Sequence, residues 1–178
     1  MSKIGTTVPD VEWKTRVRDD TIEGDNPFRW QNVYTKDVFA GKRVVMFSLP
    51  GAFTPTCSTM QLPGFEANAQ KFKDAGIDDI YCISVNDSFV MNRWAQTVID
   101  GGLQNVKVIP DGNNHFTKAM GMSVDKEHLG FGDRSWRYAM VVDDGVITHW
   151  FEEEGLNNTG RDNDPYEFTS PENILANL

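Results

Sequence analysis

Three short strand-like runs constrain this chain more than any other feature. "KRVVMFSL" (42–49), "DIYCISV" (79–85) and "NVKVIP" (105–110) each have the length of one strand. Runs that are apolar throughout read as strands covered on both faces, as in a parallel sheet. Helix-period sequence lies between them. Phe65, Ala69 and Phe72 fall at helical spacing, and Gly76 stops that helix. Pro63 predicts a kink or the start of a second helical segment. Ser88 is read as the cap of a helix through "FVMNRWAQTVI" that ends at Gly101–Gly102, and "NHFTKAMG" (114–121) as a short helix. "WRYAMVVDDGVITHWF" (136–151) predicts two strands around an Asp144–Gly145 turn. Ser170–Pro171–Glu172 opens a last helix, with serine as cap and proline in the first turn. Residues 11–33 suggest an opening hairpin, and the polar segment 152–169 a surface excursion. The order predicts an α/β fold over one domain, 1–178, with parallel crossovers and an antiparallel hairpin at one side.

Composition narrows the class. At 178 residues, 39% hydrophobic and 24% charged, the chain is long enough to bury a core without disulfide staples. A net charge of -9 argues against nucleic acid and against anionic membrane surfaces. No apolar run approaches the ~18 residues of a membrane helix. "MSKIGTTVPDVEWK" lacks the apolar stretch of a signal peptide, which predicts a cytoplasmic location. His115, His128 and His149 are scattered, and no C-x-x-C knuckle is present, so no metal site is expected.

The chemistry centres on Cys57, in "PGAFTPTCSTMQLPGFE" (50–66). It stands where a strand gives way to a helix, which is where open α/β sheets place ligands. A helix N-terminus favours an anion, and the thiolate is the reactive form of cysteine. "TPTC" is a C-x-x-C spacing with Thr54 in the first cysteine's place. Such a site cannot close a local disulfide, yet it can attack an electrophile.

"PGAFTPTCS" resembles the active-site loop of the peroxiredoxins, P-x-x-x-T-x-x-C, with Pro50, Thr54 and Cys57 matching. "LPGFE", "CISVND" and "RSWRYAMVVDDG" are similar to blocks of the animal peroxiredoxin 5 and plant type II subfamily, in the same order. The resemblance runs from about Val8 to the last helix. It implies a thioredoxin-like fold with an N-terminal extension and a central mixed sheet flanked by helices. It also implies a thiol-dependent peroxidase that reduces hydrogen peroxide and organic hydroperoxides. Cys57 would be the peroxidatic cysteine and would pass through a sulfenic acid. Thr54 is expected to hydrogen-bond the sulfur and the peroxide, and Pro50 to wall the pocket. Arg137 would hold the thiolate and polarise the peroxide, and Arg134 would support the pocket or a subunit contact. The family implies a homodimer and no metal or organic cofactor.

Two readings of Cys82 stand side by side: a core residue in an apolar strand, or the thiol that resolves the Cys57 sulfenic acid. The 25-residue spacing resembles the cysteine pair of the plant enzymes. Residues 83–178 hold no cysteine, so the resolving thiol is either Cys82 or external. Glutathione with glutaredoxin, or thioredoxin, are the natural donors. Three rivals compete with the peroxidase. A Cys–His hydrolase or transferase needs a histidine base, a redox sensor would oxidise without turnover, and a disulfide oxidoreductase needs the missing first cysteine.

Overall fold

A computed structural model describes residues 2–178. The opening hairpin is present, as β1 (Glu12–Arg18) paired antiparallel with β2 (Phe28–Tyr34). A short helix, α1 (Thr35–Phe39), leads into β3 (Arg43–Ser48). A helical segment then starts at Pro55, passes through a π-helical turn over Cys57–Gln61, and continues as α2 (Leu62–Ala67) and α3 (Ala69–Asp74). Next come β4 (Asp79–Ser84), α4 (Ser88–Thr97), β5 (Val106–Pro110) and α5 (His115–Ala119). A small two-stranded sheet, β6 (Ser123–Asp125) with β7 (Asp133–Ser135), precedes β8 (Tyr138–Asp143), β9 (Val146–Glu152) and α6 (Pro171–Ala176).

The main sheet has the order β5-β4-β3-β8-β9. Its β3–β4 and β4–β5 pairs are parallel, and its β3–β8 and β8–β9 pairs antiparallel. This mixed sheet between helices, preceded by a hairpin, is a thioredoxin-like fold with an N-terminal extension. The three strand-like runs are the three parallel strands, and β3 lies at the middle. Its side chains alternate between two cores. Val44 and Met46 join Trp13, Phe39 and Phe116, whereas Val45 and Phe47 join Phe65, Phe72 and Trp94. Phe65 and Phe72 are fully buried, as their spacing predicts, and Phe65 stacks on Phe47 with ring centroids 3.8 Å apart. A buried phenylalanine contributes about 2–3 kcal/mol, so this column holds the helical layer to the sheet.

Local signals explain most boundaries. Asp144 and Gly145 both take positive φ (45° and 82°), as a tight two-residue hairpin requires. Ser170 Oγ accepts from Asn173 N at 3.2 Å, with Pro171 in the first turn. Pro63 sits just after the π-helical turn, in which Leu62 N–H bonds Cys57 O five residues back. The widened turn accommodates a residue that lacks an N–H and would crowd a regular helix.

Two expectations need correction. Asp87, not Ser88, caps α4: its carboxylate accepts from Val90 N at 2.9 Å. Ser88 is buried and accepts from Arg16 N at 2.9 Å, which ties the opening hairpin to α4. The helix also ends at Thr97, with turns rather than helix leading to Gly101–Gly102. The second correction concerns 152–169. It has no regular structure beyond Glu152, yet it is more than a surface excursion. Glu153 is buried and accepts from Glu167 N, Thr169 N and Thr169 Oγ1 at 2.8–2.9 Å, which folds the segment back onto the body.

Glu66 on α2 does comparable work for β5. Its carboxylate accepts from the backbone N–H groups of Gln104, Asn105 and Val106 at 2.7–2.9 Å. Burial alone would raise its pKa; the N–H donors outweigh burial and hold it below the usual 4.5. A depressed carboxylate stabilises the fold above its unfolded value and loses that contribution as pH falls through the folded one. Glu66→Gln is therefore expected to lower stability by about 1–2 kcal/mol at pH 7. The gap to the parent should narrow below about pH 4.5 in urea denaturation series run at several pH values.

Candidate active site

The site forms where β3 ends beside the start of β8. Their register pairs Ser48 with Tyr138, so the loop after Ser48 lies next to Arg137. That loop is tightly tied. Ala52 N donates to Asn86 Oδ1 at 3.0 Å, and Ser84 Oγ donates to the same oxygen at 2.7 Å. Phe53 holds φ of +64°, a costly region for a non-glycine residue, and its exposed ring tilts toward Trp94. Gly51 lets the Arg134 guanidinium approach its backbone, because a Cβ there would collide with Nη1. Arg134 uses that approach to donate from Nη1 to Pro50 O at 3.1 Å, and from Nε to Phe131 O at 3.2 Å.

Cys57 is fully buried in the first turns of the helical segment that Pro55 opens. Arg137 Nη1 lies 3.5 Å from its sulfur. The guanidinium is 2% exposed and held on every side. Nη1 also donates to Gln61 Oε1, Nη2 donates to Asp164 Oδ1, and Nε donates to Pro165 O at 3.0 Å. The Tyr166 ring lies 5.6 Å from its centre. Burial opposes the Arg137 charge, but the negative charges of Cys57 and Asp164 outweigh it and hold the pKa above the usual value. A permanent cation thus faces a sulfur shielded from water, where an ion pair is stronger than at the surface.

The structure places Cys57 beside Arg137, Pro50 on the same gap as Arg137, and Arg134 against the Pro50 carbonyl. Thr54 departs from expectation. Its hydroxyl donates to Gly51 O at 2.7 Å, closing the turn before the helix, and not to the sulfur. Its oxygen keeps lone pairs to accept from a bound group. Cys82 is buried on β4, in register with Phe47 and Val108. Burial first, and the charge of Cys57 second, push its pKa well up, with Arg137 opposing. It is therefore a thiol, not a thiolate, at neutral pH.

Three partners of Arg137 escape sequence reading. Gln61 follows Cys57 by four residues, one turn along the same face. It is fully buried, and its Nε2 has no partner among the described residues. Helical periodicity could have found it. Asp164 and Pro165 lie in the polar segment, and nothing local marks them. They line a gap of about 10 Å³ with Pro50, Lys126, Trp136, Arg137 and Asp162. That is room for about one water-sized group. A wider cleft of about 520 Å³ lies elsewhere, between the opening hairpin and the loops after β4 and β5. Among the described residues no histidine hydrogen-bonds Cys57; His149 Nδ1 pairs with Thr148 Oγ1 at 3.0 Å.

The chain belongs to the Redoxin family, whose model matches residues 3–166. It is 59% identical over 171 residues to a peroxiredoxin of Rhizobium etli, covering 96% of this chain and 93% of the relative. Among solved structures it is similar to the 1-Cys peroxiredoxin of Plasmodium falciparum. That match has a TM-score of 0.87 and 34% identity, covering 98% of this chain and 99% of the other. It is also similar to reduced Prx3 of Vibrio vulnificus in complex with hydrogen peroxide, with a TM-score of 0.82, 34% identity and 99% of each chain covered. The protein is a peroxiredoxin, a thiol-dependent peroxidase that takes a hydroperoxide and a thiol reductant.

Proposed function

We propose that Cys57 is the peroxidatic cysteine and that Arg137 acts on both sulfur and peroxide. The observation that carries this reading is the buried guanidinium 3.5 Å from a buried sulfur. The Cys57 thiolate attacks one peroxide oxygen in line with the O–O bond. A new S–O bond forms as the O–O bond breaks. The leaving alkoxide or hydroxide takes a proton and departs as alcohol or water, leaving Cys57 as a sulfenic acid. Arg137 Nη1 donates toward the oxygens as charge moves onto them. Thr54 Oγ1 accepts from the peroxide O–H, and the backbone of Pro50, braced by Arg134, walls the approach.

Resolution falls to an external thiol. Two equivalents of a thiol such as glutathione return Cys57 to the thiol, forming one disulfide and one water; glutaredoxin or thioredoxin are the protein donors in view. The burial and raised pKa of Cys82 support this over an internal disulfide. A cytoplasmic setting, with its reduced thiol pool, suits such a cycle. A homodimer is part of the proposal. Exposed Trp30 and Phe89 meet edge to face 5.7 Å apart, and Phe53 is exposed too, an apolar surface that a second copy would cover.

The test is a thiol count after one equivalent of hydrogen peroxide, with no added thiol. Loss of one thiol per chain within seconds, with sulfenic acid trapped at Cys57, is the expected result. Loss of two, with an unchanged monomer band on a non-reducing gel, would place Cys82 in the cycle. No loss would overturn the role of Cys57.

A further inference from the structure

We propose that Asp164 is a positioning residue for this reaction: its carboxylate clamps the far edge of the Arg137 guanidinium so that Nη1 is aimed at Cys57. The proposal rests on the reading of Cys57 and Arg137 given above and assigns the clamp that reading lacks.

A guanidinium is planar, and its donors form a rigid fork. Fixing two edges therefore fixes the third. Asp164 Oδ1 takes Nη2 and Pro165 O takes Nε at 3.0 Å, so adjacent residues hold the edge away from the sulfur. The Nη1 nitrogen left over is the one that reaches Cys57 and Gln61. Asp164 is itself held in an unfavourable backbone conformation, φ +49°. Such strain persists where the surroundings enforce it. Here the enforcement is visible. Asp164 N donates to Asp162 Oδ1 at 2.9 Å, and Asp162 Oδ2 pairs with Lys126 Nζ at 2.5 Å in a nearly sealed ion pair. One buried cation thus anchors the segment, and the segment then grips the other.

The clamp has an electrostatic consequence. Arg137 lies between two negative groups, the Cys57 thiolate and the Asp164 carboxylate, and they repel each other across it. Arg134, Tyr166 and Cys82 also sense the Cys57 charge, and Lys126 with Asp162 flanks the gap. None of these repeats the direct grip of Asp164 on Nη2. Removing its charge should therefore ease ionisation of Cys57 while loosening the group that directs the reaction. The two effects have opposite signs, which a merely structural role would not produce.

The experiment compares Asp164→Asn, Asp164→Ala, Asp164→Glu and Asp162→Asn in the full chain. Two readouts are taken across pH: iodoacetamide alkylation of Cys57 and the second-order rate with hydrogen peroxide. For Asp164→Asn the alkylation profile should move to lower pH, because a negative charge across the guanidinium from the sulfur is gone. The peroxide rate on its high-pH plateau should nevertheless fall about 10-fold, and further for Asp164→Ala. Asp164→Glu should recover part of both. Asp162→Asn loosens the segment but leaves the carboxylate that touches Nη2, so it should lower stability and move the alkylation profile less than Asp164→Asn does. Unchanged rate and profile in both Asp164→Asn and Asp164→Ala would overturn the clamp. So would an equal profile shift in Asp162→Asn, since attachment of the segment would then explain everything. A parent protein whose Cys57 fails to react with peroxide would instead sink the underlying reading.

Discussion

Cys57→Ser is expected to reduce peroxide turnover to background, a loss of at least about 10³-fold, with the fold intact. A serine hydroxyl does not ionise near neutral pH, and its oxygen does not give up an electron pair to a peroxide as sulfur does. On the proposed assignment the oxidant's electrons come from Cys57, which has Arg137 beside it, whereas burial holds the Cys82 pKa well up. Oxygen for sulfur is a small change in a packed interior, so thermal unfolding should shift by only a few degrees. The assay is peroxide consumption with glutathione and glutaredoxin, and separately with thioredoxin. Retained turnover in Cys57→Ser, with loss in Cys82→Ser, would move the reactive centre to β4 and refute the assignment.

Arg137→Ala is expected to lose far more than 30-fold in rate with peroxide. The threshold has a physical origin. An unperturbed thiol of pKa ~8.5 is about 3% ionised at pH 7, so complete ionisation gains at most about 30-fold. A stronger acid is also a weaker nucleophile, which trims that gain. The rest of the acceleration must come from donors that bind more strongly as the O–O bond breaks. Arg137 Nη1, 3.5 Å from the sulfur, is the charged donor so placed. The decisive comparison is therefore the plateau at high pH, where every thiol is ionised. A deficit that persists there measures the effect on bond breaking; one that vanishes there reduces Arg137 to an aid to ionisation. Truncation also leaves the buried Gln61 and Pro165 O without their donor, while the half-exposed Asp164 can be hydrated, so a stability loss of about 1–3 kcal/mol is expected. Arg137→Lys keeps a charge while losing the fork, and controls for that loss.

The strands β3, β4 and β8 were legible in the chain because they are buried on both faces and thus largely apolar. Helices marked by glycine, proline and serine were legible for local reasons: Gly76, Pro171 and Ser170 act within a turn of where they stand. The cap of α4 was misread because Asp87 and Ser88 are adjacent and either can cap. Ser88 was drawn away by Arg16 N, a partner 72 residues distant. The site divides in the same way. Pro50, Thr54 and Cys57 form one contiguous motif, and Arg137 sits in a second block. Thr54 lies where the motif puts it, but its proton goes to the nearer Gly51 carbonyl. Asp164 and Pro165 act 27 and 28 residues from Arg137, across a loop with no periodicity. The buried Glu153, which turns that loop back, and the Lys126–Asp162 ion pair bring them there.

Pairing of Ser48 with Tyr138 also means that the site depends on a contact between distant parts of the chain. Cys57 and Arg137 stand 80 residues apart in the chain and meet only through the antiparallel β3–β8 seam. A slip of one residue along that seam would carry Arg137 about 3.4 Å and turn it to the opposite face. A nascent or misthreaded molecule then holds its cysteine with no cation beside it. On the proposed roles of Cys57 and Arg137, fast reaction with peroxide is thus withheld until both halves of the sheet have joined in the correct register.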